Sequence, residues 1–267
     1  MTRGVVLALM VLVAVPATAA PRLVSINPCV DAILMHVADT SQIAGISHYS
    51  QDARATSIPL ALAKRFTATS GTAEEVAALA PDIVIAGAHV APSTITALRR
   101  LGVRLLQLGV PESIAESQAQ IRLVAAAAGH PDRGAALVAR IDAAVRTARP
   151  AGPVPIPALI WQGGGLVPGT GTLADELLRV SGFRNLSADY GLKRWDVLPL
   201  EYLVARPPKV LLSVGDAGHE DRMLGHRVLR PLAAHVAIRA YPERLLHCGG
   251  PTIIDAVVRL AAIRRSL

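Results

Sequence analysis

Short apolar runs separated by longer stretches of helical periodicity recur along this chain, and that alternation restricts its fold more than any single residue does. Residues 23–26, 43–46, 83–86 and 103–106 read as strands. Between them, residues 29–38, 72–79 and 93–101 place apolar side chains at i, i+3 and i+4, the spacing of one helix face. Thr72-Ala73-Glu74-Glu75 is a capping box, with Thr72 as N-cap and Glu75 at the third helical position. A strand joined through a helix to the next strand is a crossover unit. The predicted sheet is therefore mainly parallel and covered on both faces.

The first alternation ends in two helices, 114–128 and 131–148, separated by Gly129-His130-Pro131. A stretch containing Pro150, Pro153, Pro155 and Pro157 stops the second helix and marks a boundary. After it the pattern resumes: a strand at 158–161, a glycine-rich turn, helices at 173–180 and 200–205, and a strand at 210–214. A last short strand is expected at 244–247, followed by a closing helix over 252–265 whose terminal arginines suit the negative end of its dipole. The expectation is two α/β lobes, 20–130 and 150–267, joined through a helix at 131–149. Ligands of open parallel sheets sit at the carboxyl ends of strands, which directs attention to the loops opening at Asn27, Ser47, Gly87, Gln162 and Cys248. Asn27, Pro28, His48, Gln162, Gly163, Gly164, His247 and Gly249 are the candidate ligand contacts in these loops.

Composition bounds the function. With 52% hydrophobic, 18% charged and 3% aromatic residues, the chain is neither a low-complexity tail nor a small disulfide scaffold. The formal charge is +7, but 24 of the 27 cations are arginines scattered singly along helices, so nucleic acid is not the expected partner. Arg3, an apolar stretch over 5–15, Pro16 and Ala17-Thr18-Ala19 follow the order of a secretory signal, residues 1–19, with cleavage before Ala20. The apolar stretch falls short of the roughly 20 residues of a membrane span. No cysteine lies near the cut, so the expected product is an unlipidated protein of the periplasm.

Several segments in fixed order resemble the periplasmic substrate-binding proteins that deliver vitamin B12, haem and ferric siderophores to ABC importers. They are residues 22–28 with Asn27-Pro28, 44–50 with His48-Tyr49, 72–85 with Glu74-Glu75 and Ala80-Pro81-Asp82, 171–178, 182–186, and 200–210 with Leu200-Glu201-Tyr202-Leu203. The resemblance spans the mature chain. It implies two Rossmann-like lobes with mainly parallel sheets, one long rigid bridging helix, a ligand cleft between the lobes and modest closure. It implies no enzymatic activity, no cofactor of the protein's own, and a ligand that contains cobalt or iron. The implied partners are that small-molecule chelate and the permease dimer of an ABC transporter in the inner membrane, met by a monomer. In this family acidic residues matching Glu74 and Glu201 meet arginines of the permease, and both begin helices that precede a strand entry, Ala80-Pro81 and Arg206-Pro207. Helix-dipole complementation is the plainer reading of both. The pattern is nearest to the vitamin B12 branch, where positions matching Tyr49 and Trp195 line the cobalamin cleft; where that branch has a further aromatic six residues before Glu74, this chain has Ala68. Flat aromatic faces suit a corrin or other metal chelate, so cobalamin is the expected ligand, with ferric siderophores and haem as alternatives.

Other readings compete at particular residues. The loop from Gln162 to Gly171 has neither Gly-x-Gly-x-x-Gly spacing nor a Gly-Lys-Ser/Thr ending, so its glycines either admit a bulky ligand or turn the chain. His48, His89 and His247 all follow strands and could hold Zn or Mn, and Tyr49 or His48 could ligate haem iron or cobalt. Cys29 and Cys248, one in each half, are open to a disulfide or to metal ligation. A secreted enzyme would need a nucleophile elbow, a His-Glu-x-x-His pair or convergent carboxylates, and none occurs. A sensor that kept the fold without transport is a third possibility.

Overall fold

The computed structural model describes residues 20–152, 154–214 and 235–267. The expected signal peptide, residues 1–19, lies outside the described residues. In chain order, the first half contains β1 (Leu23–Ser25), α1 (Pro28–Val37), β2 (Ile43–Ser47), α2 (Leu60–Ala63), β3 (Ala68–Thr69), α3 (Ala73–Ala78), β4 (Ile83–Gly87), α4 (Pro92–Arg100), β5 (Arg104–Leu108) and α5 (Ile114–Ala127). α6 (Pro131–Ala148) leads to the second half. There follow β6 (Ile156–Trp161), β7 (Leu166–Pro168), α7 (Leu173–Val180), β8 (Phe183–Asn185), β9 (Trp195–Val197), α8 (Leu200–Ala205), β10 (Val210–Val214), β11 (Ala237–Tyr241), α9 (Arg244–His247) and α10 (Thr252–Arg265).

Each half builds a parallel sheet, in the order β3-β2-β1-β4-β5 and β11-β10-β6-β8. Reversing the second list gives β8-β6-β10-β11, which superposes in order on β2-β1-β4-β5. The two lobes thus repeat one topology, with β6 in the place of β1 and β10 in the place of β4. β7 and β9 form a separate antiparallel ribbon. Strand order reverses at β1 and at β6, so the crevice of each sheet opens at the carboxyl end of that strand, at Asn27 and at Gln162.

The strands are short and apolar because both faces are covered. Leu23, Val24, Ile83, Val84, Ile85 and Ala86 are buried in the first sheet, and Ala158, Leu159, Ile160, Val210, Leu211 and Leu212 in the second. α6 presents Leu137, Val138, Ile141, Val145 and Ala148 inward and packs against α1 and α5 of one lobe and α10 of the other. A single apolar cluster consequently runs from Leu23 through α6 to Ile263. Among the described residues no helix is long and apolar enough to cross a membrane.

Two local expectations are corrected. Residues 244–247 form the single-turn helix α9, not a strand: Pro242 and Glu243 carbonyls accept from the amides of Leu245 and Leu246 at 3.0 and 2.9 Å, and the sheet position beside β10 is taken by β11. The capping box at α3 is half formed. Thr72 Oγ1 accepts from the Glu75 amide at 3.3 Å, but the Glu75 carboxylate reaches past Thr72 to the Ser70 amide (2.6 Å) and the Thr69 hydroxyl (2.9 Å), and these bonds hold it below the usual carboxylate range.

Candidate ligand-binding site

The carboxyl ends of β1, β4 and β5 face the β6–β7 turn, Trp195 and the β11–α10 connection across a cleft of about 820 Å³. Asn27 ends β1 and caps α1, its Oδ1 accepting from the Cys29 amide at 2.9 Å, while Pro28 fixes the first helical turn. Gly87 allows the β4 loop to close on this corner: a Cβ there would lie 2.8 Å from the side-chain nitrogen Nδ2 of Asn27. Asn27, Pro28, Tyr49, Gln162, Trp195 and His247 all line the cleft, as does His89.

Tyr49 rides on a 3-10 turn, His48–Gln51, and is 53% exposed. His48 is not part of the cleft wall. Its Nδ1 lies 3.2 Å from the Thr69 carbonyl and its ring backs Tyr49 at a centroid distance of 4.0 Å. Beneath the turn, Asp31 of α1 is fully buried; its Oδ2 accepts from the Ser47 amide (3.0 Å) and the Ser50 hydroxyl (2.6 Å), anchoring both ends of the segment that carries Tyr49. Burial pushes the Asp31 carboxyl up to about 7, against the opposing effect of its hydrogen bonds. The sequence reading missed this residue. Its signal is a carboxylate embedded in an apolar helical run, Val30 to Leu34.

Across the cleft, Trp195 begins the β9 ribbon and is 42% exposed. Ala68 and Trp195 each open a short strand six residues before Glu74 and Glu201, so the two lobes repeat the position while only the second carries an aromatic there. Gly163 and Gly164 lie outside the cleft wall, because residues 163–165 form a tight turn that needs positive φ at Gly164 and Gly165 and brings the latter against the Leu198 carbonyl. Gly249 lines an adjoining pocket of about 460 Å³, which it shares with Glu112, Thr172, Arg194 and Trp195. A Cβ at Gly249 would meet Ser117 Oγ at 2.6 Å, so this glycine serves the close approach of the lobes.

Cys29 and Cys248 form a disulfide with Cα atoms 5.1 Å apart, joining α1 of the first lobe to the β11–α10 connection of the second at the cleft floor. They are therefore not metal ligands. Among the described residues no three His, Cys, Asp or Glu side chains gather to hold a metal ion, and His48 is not in the cleft lining that includes His89 and His247. Glu74 and Glu201 are exposed in the first turns of α3 and α8, helices that occupy corresponding places in the two lobes. Glu74 also borders a surface groove of about 750 Å³ between α3 and α4.

No match is found among curated proteins. Among solved structures, the chain is similar to the periplasmic heme-binding protein RhuT from Roseiflexus sp. RS-1, with 25% identity, a TM-score of 0.72, and coverage of 91% of this chain and 97% of that one. It shares its fold with the periplasmic vitamin B12 binding protein BtuF of Vibrio cholerae (18% identity, TM-score 0.71, 92% and 97% covered). The periplasmic heme binding protein HutB of the same organism is equally alike (18%, 0.71, 91% and 98%). The family described as periplasmic binding protein matches residues 23–239, so the chain belongs to that family, a family of solute-binding proteins and not of enzymes.

Proposed function

We propose that this protein captures a bulky metal chelate in its interlobe cleft and hands it to the permease dimer of an ABC importer. The observation that carries this reading is the pair Tyr49 and Trp195, two exposed aromatic side chains on opposite walls of a cleft of about 820 Å³ at the strand ends. Rigid aromatic faces supply large apolar contact at small entropic cost, which suits a flat macrocycle. The similar proteins are named for haem and for vitamin B12, which makes these the two ligands to test first, with ferric siderophores third. Residues 20–130 and 150–267 act as the two lobes and 131–149 as their bridge, after export directed by residues 1–19. Glu74 and Glu201 are the docking carboxylates.

The test is titration of tryptophan fluorescence with haem, cyanocobalamin and a ferric siderophore. Trp161 is buried in the second sheet and Trp195 lines the cleft, so quenching that disappears in Trp195→Phe reports occupancy of the cleft. Absence of any response to all three ligands would remove the proposal.

A further inference from the structure

Arg194 is a cation at the cleft that the reading above leaves unused. Its guanidinium Nη1 pairs with Glu112 Oε1, and the partners come from different lobes: Glu112 from the segment after β5, Arg194 from the residue before β9. The side chains are 73% and 40% exposed, and both line the pocket of about 460 Å³ that adjoins the main cleft through Trp195 and His247. An ion pair this exposed is held weakly and exchanges partners readily.

The backbone beneath it is fixed. Arg194 has φ +54°, a left-handed conformation that few non-glycine residues adopt. Gly169 makes that possible, since a Cβ there would come within 2.7 Å of the Arg194 nitrogen and the Lys193 carbonyl carbon; the Arg194 amide in turn donates to the Thr170 carbonyl at 3.4 Å. One rigid stretch of ribbon therefore presents a guanidinium and, at the next residue, the cleft's tryptophan. Glu112 is anchored independently, its amide donating to Glu116 Oε2 at 2.9 Å.

We propose that Arg194 recognises a free carboxylate on the ligand: a chelate lying on Trp195 takes the guanidinium over from Glu112, so that the cleft prefers acidic chelates to their neutral esters or amides. In this structure the Glu112 carboxylate is the anion on Arg194, and the exchange replaces one carboxylate by another. The displaced Glu112 side chain, already part exposed, passes into water at small cost. The same group then faces the incoming anion as a like charge, so Glu112 competes with and repels the ligand arm that Arg194 attracts.

This inference rests on the chelate reading, and the experiment separates the two. Dissociation constants of the mature protein are measured for iron protoporphyrin IX, its dimethyl ester and cyanocobalamin, whose side chains are amides. The wild type is expected to bind the diacid about tenfold more tightly than the diester, the worth of one hydrogen bond to a charged group. Arg194→Gln should erase that preference by weakening the diacid alone, and Glu112→Gln should tighten the diacid while leaving the diester unchanged. Melting temperatures of both variants check folding, and Glu112→Gln keeps the test alive if Arg194→Gln is unstable. Equal affinity for diacid and diester in the wild type, or equal weakening of both by Arg194→Gln, overturns the role of Arg194 while the chelate reading stands. Binding of none of the probes overturns both.

Discussion

Asp31 shows how much of this cleft depends on a residue that never touches it. Its Oδ2 accepts two hydrogen bonds from the ends of the Tyr49 turn, while its Oδ1 has no hydrogen-bond partner among the described residues. The carboxyl titrates from about 7 in the folded protein against an ordinary value near 3.8. Between those values the folded state holds a proton that the unfolded chain has lost, so the contribution of this group to stability falls as pH rises through the window and stays low above it. Asp31→Asn removes the titration, and the slope of melting temperature between pH 5 and pH 8 should be shallower in the variant than in the wild type. An unchanged slope would count against a proton on Asp31. At the opposite wall, Trp195→Ala should weaken chelate binding by about 1–3 kcal/mol, the usual cost of truncating a central aromatic anchor; calorimetry that finds the same affinity would place the ligand elsewhere. The place of Tyr49 in the cleft lining was legible from its position after β2 and from family pattern, that of Trp195 from family pattern alone. Asp31 was not, because a carboxylate in the first turn of a helix reads as a dipole complement, and only the chain folding over it from β2 buries it.

At the scale of elements, legibility followed length. α6, α7, α8, β10 and α10 fall where periodicity and breakers put them, each with enough residues to express a face. β3, β7, β8 and β9 span two or three residues, too few for alternation to register, and all were missed, as were the single-turn α2 and, in spite of its five residues, the edge strand β11. Arg244 to His247 illustrates the ambiguity of a short run: two leucines between polar residues satisfy a strand or one helical turn equally, and the choice was made by β11, whose parallel register on β10 occupies the sheet edge. The repeat of topology between lobes is also what gives α3 and α8 equivalent positions and Glu74 and Glu201 their shared outlook. Isolated surface ion pairs contribute only about 0–1 kcal/mol, but two carboxylates on one rigid body engage a two-fold partner together. Glu74→Arg with Glu201→Arg should leave chelate affinity and melting temperature nearly unchanged and abolish uptake in cells that depend on the importer, with single reversals intermediate. Normal transport by the double variant would return both residues to helix-end charges.

On the scale of the whole molecule, the lobes are bound to one another more firmly than a hinge requires. They share an apolar cluster through α6; the Gly250 amide donates to Ser117 Oγ at 2.6 Å and the Ile114 amide to Glu176 Oε2 at 2.7 Å across the junction; and the Cys29–Cys248 bridge closes the cleft floor. Reduction should lower stability by about 2–5 kcal/mol in urea titrations, the range for a native disulfide in a secreted domain. Iodoacetamide applied to the native oxidised protein should find no thiol, and quantitative labelling of both cysteines without reductant would exclude the bridge. Its connectivity also bears on the order of events during biogenesis. Cys29 stands early in the sequence and Cys248 late, 219 residues further on, with no other cysteine between them. If residues 1–19 direct export as proposed, the leading thiol emerges first and meets its one cysteine partner in this sequence only when Cys248 has followed. With two cysteines in the sequence no other pairing within it exists, and on that proposed export route the bond becomes a time stamp: its formation records that both lobes have arrived on the same side of the membrane and met.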